Sequence, residues 1–405
     1  MDQLRLKSSE SLDEDFAGAR IRYWRQKRHL SQRTLAGLAG LSQGYVSKVE
    51  SGLQEIDRRS TLIRLAEALQ VSVADLTSQP VSNSPELSSA MASLPAIRAA
   101  LNMARLGEEV EPRRSLTELQ AEVAGLAPTW KAARYDQLSV LMPDLLTDLY
   151  ALTVVGDELT QRAALRLLVE SMHCLTSTLR HLSSGDLAMI AADLGHAAAV
   201  RLDEPVWRGV ADYVRLVTLP AESKPLTRRL AVEAADRLTP TSSEALQVAG
   251  MLHLSAAFSA ASAEDGADIA IHLDEARQIS ARTGEGGFAT MQFGPTNVAF
   301  WETSIAVATG EGGRVQEIGR TVEPDRINSD TRKAAYFIDY GRGLAQTRKH
   351  DAEAIASFVR AERIAPQRTR RSPAAQETVG TMLRRARANA GGELLRGLAA
   401  RIGVA

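Results

Sequence analysis

Gln43, Gly44, Ser47 and Lys48 fall at helical steps along one short stretch between Ser42 and Glu50. That spacing gathers them on one face of a helix. The face carries an amide that donates and accepts at once, a bare backbone position, a hydroxyl and an ammonium group. Small hydrogen-bonding groups of this kind can reach base edges in the major groove of a DNA duplex. The other side is apolar. Leu35, Ala36 and Ala39 of a preceding helix can interlock with Val46 and Val49.

The elements that must position this strip are two short helices, Ser31 to about Ala39 and Ser42 to Glu50, each opened by a capping serine and joined by a turn at Gly40. A first helix from about Asp13 to His29 carries Phe16, Ile21 and Trp24 inward. Gly52 stops the third helix. Ser60 is expected to cap a fourth, whose Leu62, Leu65, Ala66 and Leu69 form one stripe, and a short turn at Val73–Leu76 closes the unit. Residues 1–12 read as disordered and Ser78–Pro85 as linker. The predicted division is therefore 13–78 for the unit, 79–85 for the linker and 86–405 for the rest.

Charge separates the two parts. The chain has 405 residues and a formal net charge of −1. Residues 16–78 hold ten Lys/Arg against five acids, a balance of +5 that leaves −6 elsewhere. A basic unit on an acidic body suits phosphate contact at one end. Aromatics make up 4% of the chain and apolar residues 44%, with abundant Ala, Leu and Arg. Helix is favoured nearly everywhere, and the expected class is all-α. A single cysteine, Cys174, excludes an internal disulfide and fits a reducing cytosol. No leader pattern is evident, and no apolar run is read as a membrane span.

Residues 16–78 resemble the five-helix DNA-binding domain of lambda-type phage repressors, the XRE family. The resemblance rests on Arg20-Ile21-Arg22, Leu30-Ser31-Gln32, Leu35-Ala36, Ser42-Gln43, Val46-Ser47, Glu50-Ser51-Gly52 and Leu65-Ala66-Glu67-Ala68-Leu69. It implies that Gln32 holds the phosphate backbone and buttresses the third helix, that Gln43, Gly44, Ser47 and Lys48 occupy base-reading positions, and that Arg25 and Glu50 pair between helices one and three. Arg33, Ser42 and Tyr45 complete the expected DNA-contacting set. Gly44 departs from the more informative side chains often found there, so one unit has few readers. Binding as a dimer to an inverted repeat is the expected remedy.

From Ser84 onward the sequence reads as successive amphipathic helices: 85–105, 115–131, 134–153, 158–182, 187–201, 205–218, 225–238, 243–261, 266–282, 295–309, 314–321, 331–347, 352–364, 374–389 and 392–402. Within 332–366, Ala354, Phe358, Ala361 and Pro366 follow the small-aromatic-small-proline spacing of a tetratricopeptide second helix, and Ile269, Leu273 and Ala276 form a weaker copy. Three to five degenerate repeats, stacked as a curved solenoid with a concave groove, are expected. In Met291–Trp301, Gly294-Pro295 starts a helix, and Asn297 stands one turn before Trp301. An asparagine that pairs with a peptide main chain and an indole offering flat contact can form a ligand clamp with Phe293. Arg332, Tyr336, Asp339 and Tyr340 can face the same groove. The layout resembles actinobacterial regulators that join an XRE domain to a tetratricopeptide-like body, with Phe293-Gly294-Pro295-Thr296-Asn297 looking like their recurring motif. It is also similar to that of Gram-positive regulators that sense peptide pheromones.

Nothing in the sequence points to catalysis. The glycine clusters at 284–287 and 310–313 follow no strand, the seven histidines form no metal-ligand set, and His173-Cys174 reads as core. The Arg368–Arg371 run before Pro373 reads as a solvated loop. The expectation is a cytoplasmic, homodimeric transcription regulator, most simply a repressor. It needs no cofactor, metal or membrane, and its partners are a palindromic DNA operator, a second copy of itself and a signalling peptide or small molecule. The alternative is an adaptor whose helical body docks a partner protein.

Overall fold

Serine hydroxyls open the second and third helices, as their spacing requires. Ser31 Oγ accepts from the Thr34 amide at 3.0 Å, and Ser42 Oγ accepts from the Tyr45 amide at 3.2 Å. Each satisfies a donor that a helix start leaves unpaired. The structure is a computed structural model describing residues 17–56, 58–71, 73–76, 85–108, 110–239, 241–263, 265–386 and 392–404. The expected disordered start, the helix start at Asp13, the inward Phe16 and most of the linker lie outside these residues.

The amino-terminal unit comprises α1 (Ala17–Lys27), α2 (Gln32–Leu38), α3 (Gln43–Glu50), α4 (Arg59–Leu69) and α5 (Val73–Leu76). Gly40 and Gly52 adopt φ of +62° and +68°, the left-handed conformation that lets the chain leave a helix sharply. Ser60 is not a cap, because the chain leaves extended geometry two residues earlier and Arg58 occupies that position. Ile21, Leu35, Ala36, Ala39, Val46, Val49, Leu65, Ala66, Leu69 and Leu76 form a separate small core, with Trp24 packed on its edge.

The body continues through α6 (Pro85–Ala92), α7 (Leu94–Leu106), α8 (Leu116–Lys131), α9 (Tyr135–Val155), α10 (Glu158–His181), α11 (Gly185–Leu202), α12 (Pro205–Leu216) and α13 (Lys224–Asp236). Then come α14 (Ser243–Ser262), α15 (Gly266–Thr283), α16 (Pro295–Ala308), α17 (Gly312–Gly319), α18 (Asp330–Thr347), α19 (Asp351–Ile364), α20 (Pro366–Arg370), α21 (Pro373–Arg385) and α22 (Glu393–Ile402). Among the described residues there is no strand, only one antiparallel bridge between Gly286 and Phe293. The expected helix over 85–105 is two, because Pro95 sits in the first turn of α7, where its missing N–H costs nothing. The Arg368–Arg371 run is not a solvated loop. Pro366 starts α20 there, and its side chains turn onto α10.

Long helices pack on their chain neighbours, α9 on α10, α13 on α14, α14 on α15 and α18 on α19, and on second neighbours, α14 on α16 and α16 on α18. In the α18–α19 pair Ala354, Phe358 and Ala361 are fully buried. A methyl group on Gly341 would come within 3.0 Å of the Phe358 ring, so the small residue sets the approach. The body does not remain an open array in which each pair meets only the next. Tyr135 Oη hydrogen-bonds Thr331 Oγ1, Gln367 Nε2 donates to Asp136 Oδ1 at 2.7 Å, and Arg371 Nε donates to the His181 carbonyl at 2.9 Å. Elements about two hundred residues apart therefore meet, and the body curls upon itself.

Two helices, α9 and α14, are long and apolar enough to cross a membrane, contrary to the sequence expectation. Within their most apolar stretches 56% of α9 and 83% of α14 is buried inside the fold, so both serve as core helices here.

Candidate nucleic-acid interface

Packing holds α3 by one side only. Val46, Val49 and Glu50 are buried against α1 and α2, while Ser42, Gln43, Gly44 and Lys48 are exposed and Tyr45 and Ser47 half-buried. Among the described residues, apart from its own helix backbone and chain neighbours, no atom lies within 4 Å of where a methyl group on Gly44 would point, so the strip is open at its centre. On α2, Arg33 is exposed and Gln32 half-buried. None of the eight residues expected to contact DNA is thus sealed in the core.

Electrostatics fix the angle between the helices. Arg25 grips Glu50 with two hydrogen bonds, Nε to Oε1 at 2.6 Å and Nη2 to Oε2 at 2.9 Å. The Gln32 amide also donates to Oε2, at 2.9 Å, and Arg25 Nη1 donates to the Leu30 carbonyl at 2.8 Å. The pair is largely dry, and the bond to Glu50 pushes the Arg25 pKa above its ordinary value. Such fork-to-carboxylate contacts are strong and directional. Residues 21–76 match the helix-turn-helix family. No curated protein and no solved structure matches the chain.

Not all the basic residues of the helix-turn-helix unit are available to phosphate. Arg20 Nε donates to the Asp75 carbonyl at 2.5 Å, and Arg28 donates to the Leu69 and Gln70 carbonyls at 3.2 Å each. These arginines close helix ends, where carbonyls lack partners and the helix dipole favours a cation. Arg33 and Lys48 remain exposed on the reading edge. Composition had shown only the excess of charge.

The loop leaving α3 is clamped to the body, and no sequence signal announced it. Arg384 Nε donates to the Gly52 carbonyl at 3.1 Å, Thr378 Oγ1 to Glu55 Oε1 at 2.8 Å, and Arg348 Nη2 to Gln54 Oε1 at 2.6 Å. The Ala17 amide donates to Glu377 Oε2 at 3.0 Å. Gly52 is doubly constrained, because besides its positive φ a methyl group there would lie 2.3 Å from Arg384 Nε. None of these contacts uses any of the eight reading-edge residues.

The second expected site is built differently. Asn297 is fully buried, and its amide is spent inside the fold. Nδ2 donates to the Gln292 carbonyl at 2.5 Å, and Oδ1 accepts from Arg332 Nε at 3.1 Å and Nη2 at 2.6 Å. The Phe293 ring fills the space over Gly250, where a methyl group would sit 2.1 Å from it. Tyr336 is buried and stacks on Phe300, with centroids 4.4 Å apart. Phe293 and Tyr336 therefore pack mainly as core, Phe293 against Gly250 of α14 and Tyr336 against Phe300 of α16. Trp301 does lie beside the same arginine, whose guanidinium carbon stands 5.6 Å from its ring. Tyr340 is half-buried against Gly319. A cleft of about 300 Å³ opens nearby, bordered by Lys131, Glu285, Phe293, Asn297, Arg326 and Asn328.

Proposed function

We propose that the chain is a sequence-specific DNA-binding transcription regulator acting in the cytoplasm. The carrying observation is the α3 strip, outward and unobstructed on a helix locked from behind by the Arg25–Glu50–Gln32 cluster, within a unit of the helix-turn-helix family. Gln43, Ser47 and Lys48 read base edges, and Arg33 and Gln32 hold phosphates. A bidentate contact discriminates between bases by about 1–3 kcal/mol, and with Gly44 contributing none, one unit is too weakly selective alone. Two copies on an inverted repeat, dimerised through the body, supply the rest, and steric blockage of transcription makes the protein a repressor.

The body is read as a degenerate tetratricopeptide-like array that receives a peptide or small molecule at the Asn297–Arg332 region. What supports a link to the head is the course of α18. Arg332 lies in its first turn, and Arg348, which holds Gln54 of the head, follows its last residue. The sixteen residue steps from Arg332 to Arg348, at about 1.5 Å each, make a rod of roughly 24 Å between the two points. A ligand that tilts this helix changes the position of the head, and with it the spacing of two heads on half-sites one DNA turn apart.

The test is retention of the full chain on genomic duplex fragments, followed by anisotropy titration of the selected sequence across a salt series. Sequence-selective binding that weakens with salt is expected, with selectivity lost in the Gln43→Ala/Lys48→Ala variant while its circular dichroism is unchanged. Binding that ignores both sequence and these substitutions would overturn the reading.

A further inference from the structure

The Arg368–Arg371 run, left unexplained by the DNA-binding reading, meets two other arginines where the body closes on itself. Arg368 Nη1 lies 2.7 Å from His181 Nε2, and His181 stacks on Tyr135 with centroids 4.6 Å apart. Tyr135 bonds Thr331, the residue before Arg332, which brings the first turn of α18 to the same place. Arg180 adjoins His181 and feels the charge of Arg368, and both Arg180 and Arg332 act on the Tyr213 hydroxyl. Three guanidinium groups from α10, α18 and α20 therefore lie within electrostatic reach of one another and of Tyr213 where the body closes on itself.

Their charges are not neutralised. Among the described residues no carboxylate pairs with Arg180, Arg332 or Arg368, and the Arg180 guanidinium makes no hydrogen bond. Arg368 Nε is buried without a partner. Asp339, the carboxylate that acts on Arg332, is already engaged by Ser304 Oγ at 2.5 Å and Arg342 at 3.1 Å. Arg332 is instead steadied by neutral groups, the Asn297 carbonyl oxygen and the Trp301 face, which leave its Nη1 free. Arg180 stays exposed although protein surrounds it, as a side chain standing in an internal hollow does. Desolvation pushes the pKa of Arg180 and Arg332 down, with Arg368 adding to the effect. Lys131, also without an ion pair, borders the adjoining cleft at Asn297. Other arginines of the same region do have acids, as with Arg370 and Arg401 on Glu362.

Cations held together without a counter-charge where protein surrounds them are costly, and such a cluster marks a place prepared for the opposite charge. We infer that the hollow formed by Arg180, Arg332 and Arg368 is a binding site for the oxyanion of a ligand, a carboxylate or a phosphate group. The fork geometry of guanidinium suits either one. This inference rests on the sensing reading above and gives its ligand a chemistry: the anionic group seats on the three arginines, and the remainder extends through the cleft past Asn297 and Lys131.

The experiment is calorimetric titration of the full chain, with thermal melting in parallel, at constant ionic strength set by chloride. The probes are inorganic phosphate, citrate, and one short peptide with either a free or an amidated carboxyl end. At least one oxyanion is expected to bind and raise the melting temperature by about 2–4 °C near saturation. Arg180→Met and Arg368→Met should each weaken that binding at least tenfold. Arg180→Met should also melt higher than the parent without anion, because it relieves repulsion and breaks no bond. An Arg229→Met control, at an exposed position, should behave as the parent. Phosphate binding without the free-ended peptide, or the reverse, identifies the source of the oxyanion. No anion-dependent shift, equal binding of the amidated peptide, or unchanged affinity in both arginine variants would overturn the inference. Anion binding that leaves DNA affinity untouched would uphold it and refute the sensing reading.

Discussion

The α3 and α16 helices begin alike and end up opposite. Each starts after a small residue or turn and carries polar groups in its first turns, Gln43 and Ser47 in one, Thr296 and Asn297 in the other. The α3 helix is held by α1 and α2 and shows its polar strip to solvent. The α16 helix is enclosed by α14, α15, α17 and α18, and its asparagine is wholly buried. The same kind of residue thus serves as a reader when a helix has a free side and as a brace when it has none. Burial obliges the Asn297 amide to find partners within the fold, and it finds the Arg332 guanidinium.

The largest test of this contrast lies behind the exposed strip. Replacing Glu50 with Ala leaves Arg25 and Gln32 without their shared acceptor in a dry setting. The head should lose about 3–5 kcal/mol, with DNA binding lost alongside it, as followed by denaturant unfolding and anisotropy. An unfolding curve matching the parent would show that packing alone holds α3.

Acid should loosen the enclosed body. His173 is buried beside the Ala289 carbonyl, and desolvation lowers its pKa to about 4 from an ordinary value of 6.5. The unfolded chain therefore takes up this proton first on acidification. The stability contributed by neutral His173 is complete above about pH 6.5 and falls away toward pH 4, by about 3 kcal/mol in all. Unfolding measured across that interval should show the slope, and His173→Gln should reduce it, with buried His181 and the His253–His272 pair, also lowered by desolvation, supplying the remainder.

Asn297→Ala should destabilise the body by about 2–3 kcal/mol, since a buried guanidinium loses its acceptor, whereas the head's DNA-contacting edge keeps its geometry. If instead the variant folds as stably as the parent, the brace assignment is wrong. The smallest effect belongs to Gly44→Ala. Free space around the position and the helix preference for alanine predict a gain of up to about 1 kcal/mol in stability. Any loss of DNA affinity in that variant would locate the closest approach of the duplex.

Much of the head was legible because its signals are local. Ser31, Ser42, Gly40 and Gly52 act on backbone groups within a few residues, and the stripe through Leu65 and Leu69 needs only helical periodicity. The helix order of the body was legible for the same reason, down to the helix begun by Pro295. Ser60 misled because more than one residue near it can begin a helix, and Arg58 does. The Arg368–Arg371 run misled further. Four neighbouring basic and polar residues look solvated in a sequence, and only the return of α20 to α10 puts Arg368 on His181.

By itself the amino-acid sequence determined the helical periods, the caps, the basic head on an acidic remainder, and the face of α3 that would be polar. Each depends on neighbours within one or two turns. The tertiary structure alone decided which polar faces stay open, that the body curls until residues 135 and 331 touch, that the loop after α3 rests on Arg384, and that three arginines gather without an acid. Those outcomes join positions hundreds of residues apart, and burial and charge there are set by whichever helices arrive, which no local pattern records.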